Sequence, residues 1–211
     1  MYVPSHFSES RPEQLHALIR DHPLGALVVH GPDGLDADQL PFELDERAGP
    51  RGMLRAHVAR ANPVWQQARD GDGVLVIFRA AEAYVSPNWY PSKHETHRQV
   101  PTWNYQVVNV HGTIRIVDDV AFVRGLVGRL TRTHEARQAP DPPWRMSDAP
   151  PDYLDTMLRA IVGIEIDITR LVGKFKLSQN REMRDRLNAA AELEQHGESA
   201  LAEAMRQPDM P

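Results

Sequence analysis

Short runs that alternate apolar and polar residues, separated by clusters of Gly, Pro and Asp, are the feature that most constrains the fold of this chain. The runs lie at 24–31, 35–44, 52–60, 74–79, 83–87, 102–117 and 162–173. Alternation with a period of two predicts strands that place one face on a core, and turn signals such as GPDG at 31–34 predict antiparallel neighbours. The sequence therefore predicts a mainly β protein with α additions, and a β-barrel is favoured over a parallel βαβ sheet.

Helical spacing appears between and after these strands. We expect a first helix that begins at a capping box formed by Ser10 and Glu13 and ends near Pro23, and a short second helix after Asn62 and Pro63. Further helices are expected at 118–136, at 151–161 and after residue 180, the last with a break at Gly197. A Pro-rich surface loop is expected at 139–151. These patterns predict one domain at 1–180 and a C-terminal helical extension at 181–211 that packs on or near it.

Composition excludes several kinds of site. The chain contains no Cys, which excludes disulfides, thiolate catalysis and cysteine-ligated zinc or iron–sulfur clusters. A net charge of −5 gives no general attraction to nucleic acid or to an anionic membrane. The sequence has neither a long apolar run nor a signal peptide at its N-terminus, so we expect a cytoplasmic protein that makes no membrane contact.

Two segments suggest other functions only at first sight. His94 and His97 have a spacing one residue short of the helical pair that binds zinc, and flanking prolines predict a solvated loop there, so no metal is expected. The segment after residue 180 begins with three Arg but continues with acidic residues, unlike a helix that reads DNA. Direct DNA contact therefore stays an open alternative without support from the charge pattern.

Residues 83–112 concentrate aromatic and hydrogen-bonding side chains in one place. A planar ring could stack on the aromatic residues of this stretch, namely Trp89, Tyr90, Trp103 and Tyr105. Lys93 is one of only three Lys among 24 basic residues, and with His57 and Arg60 it could bind a phosphate as a point charge. A flat ring with a phosphate tail fits flavin mononucleotide (FMN). The alternatives are that the aromatic residues form core and edge packing, and that the His57 strand simply exposes a polar face to water.

Five ordered blocks of the chain together resemble the PaiB family of FMN-binding negative transcriptional regulators. They are MYVPSHF (1–7), LRAHVARANPVW (54–65), AYVSPNWYPSK (83–93), VPTWNYQVVNVHG (100–112) and IVGIEIDITRLVGKFKLSQN (161–180). The resemblance implies an antiparallel FMN-binding split β-barrel with peripheral and C-terminal helices, similar to pyridoxamine-phosphate oxidases and small flavin reductases. It also implies a homodimer with FMN at the subunit interface.

The resemblance further implies which residues bind FMN and what the protein does. The residues are His57, Arg60, Asn62, Ser86, Trp89, Tyr90, Lys93, Thr102, Trp103, Asn104, Lys176, Ser178 and Gln179. The implied function is negative transcriptional regulation through flavin or redox sensing, by a direct or an indirect route. Two alternatives remain: an FMN-dependent oxidoreductase of the NAD(P)H:flavin reductase type, and a structural dimer whose site holds another planar ligand such as haem. No catalytic residue is predicted.

Overall fold

A computed structural model describes residues 1–138 and 141–207. Within these residues the strands are β1 (Ser8–Glu9), β2 (Leu24–Gly31), β3 (Gly34–Pro41), β4 (Glu43–Asp45), β5 (Met53–Ala59), β6 (Gly73–Val85), β7 (Thr102–Val117) and β8 (Ile161–Lys176). The α-helices are α1 (Pro12–Asp21), α2 (Val64–Gln67), α3 (Pro91–Thr96), α4 (Val120–Gln138), α5 (Pro151–Arg159), α6 (Met183–Gln195) and α7 (Ser199–Arg206). None of the described helices is both long and apolar enough to cross a membrane.

The strands form one sheet whose hydrogen-bonded order is β3, β2, β6, β7, β8, β5 and β4, with β1 paired to β8. The pairings of β2 with β3 and β6, of β4 with β5, and of β8 with β1 and β5 are antiparallel. Register places Leu27 opposite Val76 and His57 opposite Gly163. The predicted class, mainly β with helical additions, is confirmed.

The chain forms two compact units. Unit 1 comprises Met1–His22, Phe78–Asn109 and the chain from Leu171 onward, and unit 2 comprises Pro23–Ile77 and Val110–Arg170. Strands β6, β7 and β8 each contribute residues to both units. Helices α6 and α7 belong to unit 1, and the boundary expected between residues 180 and 181 stays a prediction.

Each unit buries its own set of apolar side chains. Unit 1 buries Ile19, Phe78, Val85, Tyr90, Val108, Leu177, Leu193 and Leu201, and unit 2 buries Leu27, Leu54, Val76, Ile114, Leu126, Val162, Ile164 and Ile166. On β5, the buried residues Leu54, Ala56 and Val58 alternate with partly exposed ones, as the period-two pattern predicts. Burial of each large aliphatic side chain stabilises the fold by about 1.5–3 kcal/mol, so these alternating sets are the main source of its stability.

Several element boundaries differ from the prediction for identifiable reasons. The capping box at Ser10 and Glu13 was wrong, because Arg11 is the N-cap of α1 and its backbone N–H donates to Glu9 at 2.8 Å. The two strands predicted at 74–79 and 83–87 are one strand, β6. The strand predicted at 35–44 is divided at Phe42, whose N–H donates to the Pro23 carbonyl at 2.8 Å.

The loop predicted around His94 is wrong, because residues 91–96 form helix α3. Pro91 occupies its first turn, where no intrahelical N–H bond is needed. The buried carboxylate of Asp185 accepts bonds from the Ser92 backbone N–H at 2.9 Å and from the Ser92 hydroxyl at 2.5 Å. This carboxylate comes from α6, so local sequence gives no sign of the cap. Residues 139 and 140 of the predicted Pro-rich loop, and 208–211 of the predicted extension, lie outside the described residues.

Candidate functional site

An open cavity of about 410 Å³ lies in unit 1, against strands β6 and β7. Its lining residues are Arg79, Glu82, Trp103, Tyr105 and Val107. Trp103 and Tyr105 share one face of β7 because successive side chains of a strand point to opposite faces. Trp103 keeps 55% of its surface exposed, and Tyr84 meets it edge-on with ring centroids 6.2 Å apart. The cavity therefore presents aromatic surface that the protein's own core does not cover.

Cations gather beside this aromatic surface. The Lys174 Nζ lies 5.4 Å from the centroid of the Tyr105 ring. The Lys176 ammonium donates to the Thr102 hydroxyl and, at 2.7 Å, to the Trp103 carbonyl. Burial, followed by the nearby charges of Lys174 and Arg181, lowers the pKa of Lys176. These bonds hold Lys176 at the start of β7, next to the residues that form the aromatic wall.

Three of the predicted residues, Tyr90, Asn104 and Ser178, form a buried polar cluster in unit 1. The Asn104 Nδ2 donates to the Ser178 Oγ at 2.9 Å, and the Tyr90 and Ser178 hydroxyl oxygens are 3.5 Å apart. Ser178 adopts a left-handed φ of 64°, and Asn104 also contacts the Met205 sulfur at 3.2 Å. This cluster joins the loop after β8 to helix α7. The Asn104 Oδ1 has no hydrogen-bond partner among the described residues.

Gln179 completes the same loop. Its side-chain oxygen accepts from the Leu177 N–H at 2.7 Å, and its Nε2 donates to the Phe175 carbonyl at 2.7 Å. The oxygen and the nitrogen of the Gln179 side-chain amide are thus both used to close the turn that follows β8, which gives this predicted residue a clear local structural role.

The remaining predicted residues of unit 1, Ser86, Trp89 and Lys93, lie just before helix α3 or within it. The Ser86 hydroxyl accepts from the Asn88 N–H at 3.2 Å, and the Trp89 ring packs against His196 with centroids 5.2 Å apart. Lys93 makes no hydrogen bond or ion pair through its ammonium group within the described part of the chain. Of the predicted cations of unit 1, Lys93 is therefore the one that remains available to an anion.

His57 lies on β5 in unit 2, half-buried and opposite Gly163 of β8. A side chain at residue 163 would place its Cβ 2.5 Å from the Phe122 ring, so this glycine lets helix α4 pack closely over the sheet beside His57. Burial lowers the pKa of His57. Its Nδ1 is buried and has no hydrogen-bond partner among the described residues. The imidazole is thus mostly uncharged at pH 7, and its buried Nδ1 is an unsatisfied polar atom.

Arg60 and Asn62 follow at the end of β5, and both are already hydrogen-bonded. The Arg60 guanidinium donates to both Asp118 oxygens, at 2.9 and 2.5 Å, and to the Arg159 carbonyl at 2.8 Å. The Asn62 Oδ1 accepts from the Val64 N–H at 2.8 Å, and its Nδ2 donates to Asp38 at 2.7 Å. A phosphate that bound Arg60 would have to compete with the Asp118 carboxylate.

The structure thus divides the predicted residues into distinct groups. Trp103 lines the aromatic cavity, Thr102 and Lys176 are hydrogen-bonded at the start of β7, and Tyr90, Asn104 and Ser178 are enclosed in the buried cluster. Four residues of the cavity region were not predicted from the sequence, namely Arg79, Glu82, Val107 and Lys174. The signal for Lys174 was the scarcity of Lys, and that for Val107 was its spacing from Trp103 and Tyr105. Across residues 1–138 and 141–207, no three His, Asp or Glu side chains gather as a metal site would require.

Comparison with known proteins gives a family and several relatives. The family model described as "Putative FMN-binding domain" matches residues 1–170. The chain is 33% identical to an uncharacterized protein of Emericella nidulans, over 95% of this chain and 93% of that protein. It is 28% identical to the Bacillus subtilis "Protease synthase and sporulation protein PAI 2", over 92% of this chain and 89% of that protein.

Among solved structures, the FAD and heme binding protein of Mycobacterium smegmatis superposes with a TM-score of 0.53 at 16% identity. The match covers 80% of this chain and 73% of that one. At this identity the likeness shows the fold alone, and the split-barrel architecture expected from the sequence is confirmed.

Two half-buried histidines, His57 and His111, give this structure a predictable dependence on pH. Because burial lowers the folded-state pKa of His57, the unfolded chain binds more protons once the pH falls below the ordinary value of about 6.5. Stability should therefore be fully present above that pH and decrease as the solution becomes more acidic. His111, whose pKa is lowered by burial and then by the charges of Arg170 and the N-terminus, contributes in the same direction.

The measurement is urea unfolding of the wild type and of His57→Gln between pH 5 and pH 7.5. The free energy of unfolding of the variant should decrease less on acidification than that of the wild type. The decrease that remains is the part contributed by His111. Identical pH profiles for the two proteins would show that His57 is not the buried titrating group.

Proposed function

Since this chain belongs to the family of FMN-binding domains whose model matches residues 1–170, we propose that it binds FMN and holds the flavin ring in the aromatic cavity of unit 1. The observation that carries this proposal is the pair of aromatic side chains, Trp103 and Tyr105, on the wall of an open cavity. The exposed Trp103 ring leaves apolar surface in contact with water, which is unfavourable, and a planar ring stacked on it would bury that surface.

The cavity suits such a ligand in size and chemistry. Its volume of about 410 Å³ lies within the range of about 300–1,000 Å³ that is usual for small-molecule sites. Its walls combine aromatic and aliphatic surface with one ion pair, between Arg79 and Glu82, which can orient the polar edge of a ring. FMN, when bound, would supply electron and hydride transfer, and the protein would supply binding, orientation and electrostatics.

The phosphate of FMN needs cationic partners, and we assign this role first to the lysines of unit 1. Lys174 lies beside Tyr105, Lys176 is bonded at the start of β7, and Lys93 has an unpaired ammonium within the described residues. An ammonium binds phosphate as a mobile point charge, which suits a side chain that must change partners when ligand arrives. The phosphate-binding roles expected for His57, Arg60 and Asn62, which lie in unit 2, stay predictions from the sequence, and that of His57 is tested below.

We further propose that the protein is a homodimer and a negative regulator of transcription that responds to the state of its flavin. The name of the Bacillus subtilis relative, which concerns protease synthesis and sporulation, supports a regulatory role. An indirect route is favoured by the pairing of Arg184, whose guanidinium is bonded to Glu95 at 2.6 Å and to Glu182 at 2.9 Å. An Arg that is paired with two carboxylates binds a DNA phosphate only weakly, because its charge is already neutralised.

Replacing the aromatic wall should weaken FMN and riboflavin equally. Trp103→Ala removes ring contact that both flavins make, so both dissociation constants should rise by an amount equivalent to about 1–3 kcal/mol. The measurement is a titration followed by flavin fluorescence, with Trp144→Ala as the matched control because Trp144 is an exposed Trp of unit 2. Unchanged affinity in Trp103→Ala, or an equal loss in Trp144→Ala, would place the ring elsewhere.

Replacing a phosphate ligand should weaken FMN but not riboflavin, which has no phosphate. Lys174→Gln and Lys93→Ala should each weaken FMN by about 1–3 kcal/mol through loss of a charge-assisted contact, and leave riboflavin binding unchanged. His57→Ala should weaken FMN by less, about 0.5–1.5 kcal/mol, because the imidazole is uncharged at pH 7. Each residue is judged by itself in the same titration. If a variant binds FMN with wild-type affinity, the residue replaced in it does not bind the phosphate.

The regulatory role predicts that loss of flavin binding and loss of the protein have the same effect on transcription. A strain that carries Trp103→Ala at the native locus should show increased levels of the same transcripts as a strain that lacks the protein. Transcript sequencing of both strains and of the parent measures this. A deletion strain with unchanged transcripts would contradict the regulatory role and leave the binding proposal intact.

A further inference from the structure

We propose that Tyr2 is a further ligand-contact residue, which covers the outer side of a flavin ring held in the aromatic cavity. The inference rests on the proposed function and assigns a role to a residue outside the set predicted from the sequence. It starts from three side chains of unit 1 that the fold brings together, Tyr2, Lys174 and Tyr105.

The N-terminal segment is anchored beside strand β8. Phe7 is buried, and its N–H donates to the Pro4 carbonyl at 2.9 Å, which closes a tight turn. Strand β1 then pairs antiparallel with β8, with Ser8 opposite Lys174. A side chain at Gly173 would place its Cβ 2.8 Å from the Glu9 carbonyl oxygen, so the glycine permits this close pairing. These contacts fix the direction in which the preceding residues extend.

Tyr2 extends from this anchor to the same cation that lies beside the cavity. The Lys174 Nζ is 5.9 Å from the centroid of the Tyr2 ring and 5.4 Å from that of Tyr105, which lines the cavity. Tyr2 as a residue nevertheless stays 82% exposed. A cation–π contact at an exposed site is weak, so the protein alone gains little by keeping the ring there. The Tyr2 ring thus lies near the cavity but does not pack in the core.

A flat ligand with an anionic tail would contact both Tyr2 and Lys174. Its ring, stacked on Trp103 and Tyr105, would have one side still open to water, because every cavity-lining residue among those that the structure describes comes from β6 or β7. Tyr2 can cover that side and bury its own exposed surface, as aromatic side chains at binding sites commonly do. Lys174 would at the same time exchange its contact with an aromatic face for the stronger attraction of a phosphate.

The test uses three variants of the full chain and both flavins. Tyr2→Ala should weaken FMN and riboflavin alike, by roughly 3- to 10-fold, because the lost contact is with the ring that both share. Tyr2→Phe keeps the aromatic face and should stay within about 2-fold of the wild type. Tyr153→Ala is the matched control, since Tyr153 is an exposed Tyr of unit 2 and should change neither affinity. Thermal unfolding of each variant confirms that the fold is retained.

The outcomes separate this inference from the function on which it rests. Wild-type binding of both flavins by Tyr2→Ala overturns the role of Tyr2 and leaves the flavin proposal standing. A loss confined to FMN also overturns it, because Tyr2 would then act only by positioning Lys174 toward the phosphate. Failure of the wild-type protein to bind either flavin overturns the proposed function and this inference together.

Discussion

The alternation of side chains along strand β7 is the constraint on which the proposed site depends. From residue 103 onward, Trp103, Tyr105 and Val107 line the cavity, whereas Asn104 and Val108 are fully buried on the opposite face. A one-residue slip in register would exchange these two sets, placing a Trp in the core and an amide in the cavity. The buried cluster of Asn104, Ser178 and Tyr90 therefore stabilises the orientation of the aromatic wall as well as the packing of α7.

The cations of the molecule differ in how firmly they are held. Arg55, Arg60 and Arg184 are each bonded to carboxylates of the same chain, and such pairs fix the positions of strands and helices. Lys174 instead rests beside aromatic rings, and Lys93 has no partner among the described residues. The difference follows from chemistry, since a planar guanidinium matches a carboxylate and an ammonium changes partners more easily. It explains why we assign anion binding to lysines in a chain that otherwise uses Arg.

Much of the fold could be predicted because each strand carries its own periodic signal. Strands β2, β5, β7 and β8 were predicted from alternation, and α4 and α5 from helical spacing. What escaped prediction depends on residues far apart in the chain. Asp185 caps α3 across 93 residues, and helix α4 packs over Gly163, the residue of β8 that is paired with His57. Neither contact leaves a local pattern, so α3 was missed and the partial burial of His57 could not be recognised from its own strand.

The candidate site was predictable in composition but not in layout. The aromatic stretch and the scarce lysines were visible in the sequence, whereas the inclusion of Arg79 and Glu82 required β6 to run unbroken beside β7. The most direct test of the central claim is a crystal structure of the protein soaked with FMN. We expect density for the isoalloxazine ring in contact with Trp103 and Tyr105. Density for the ring at another site would contradict it.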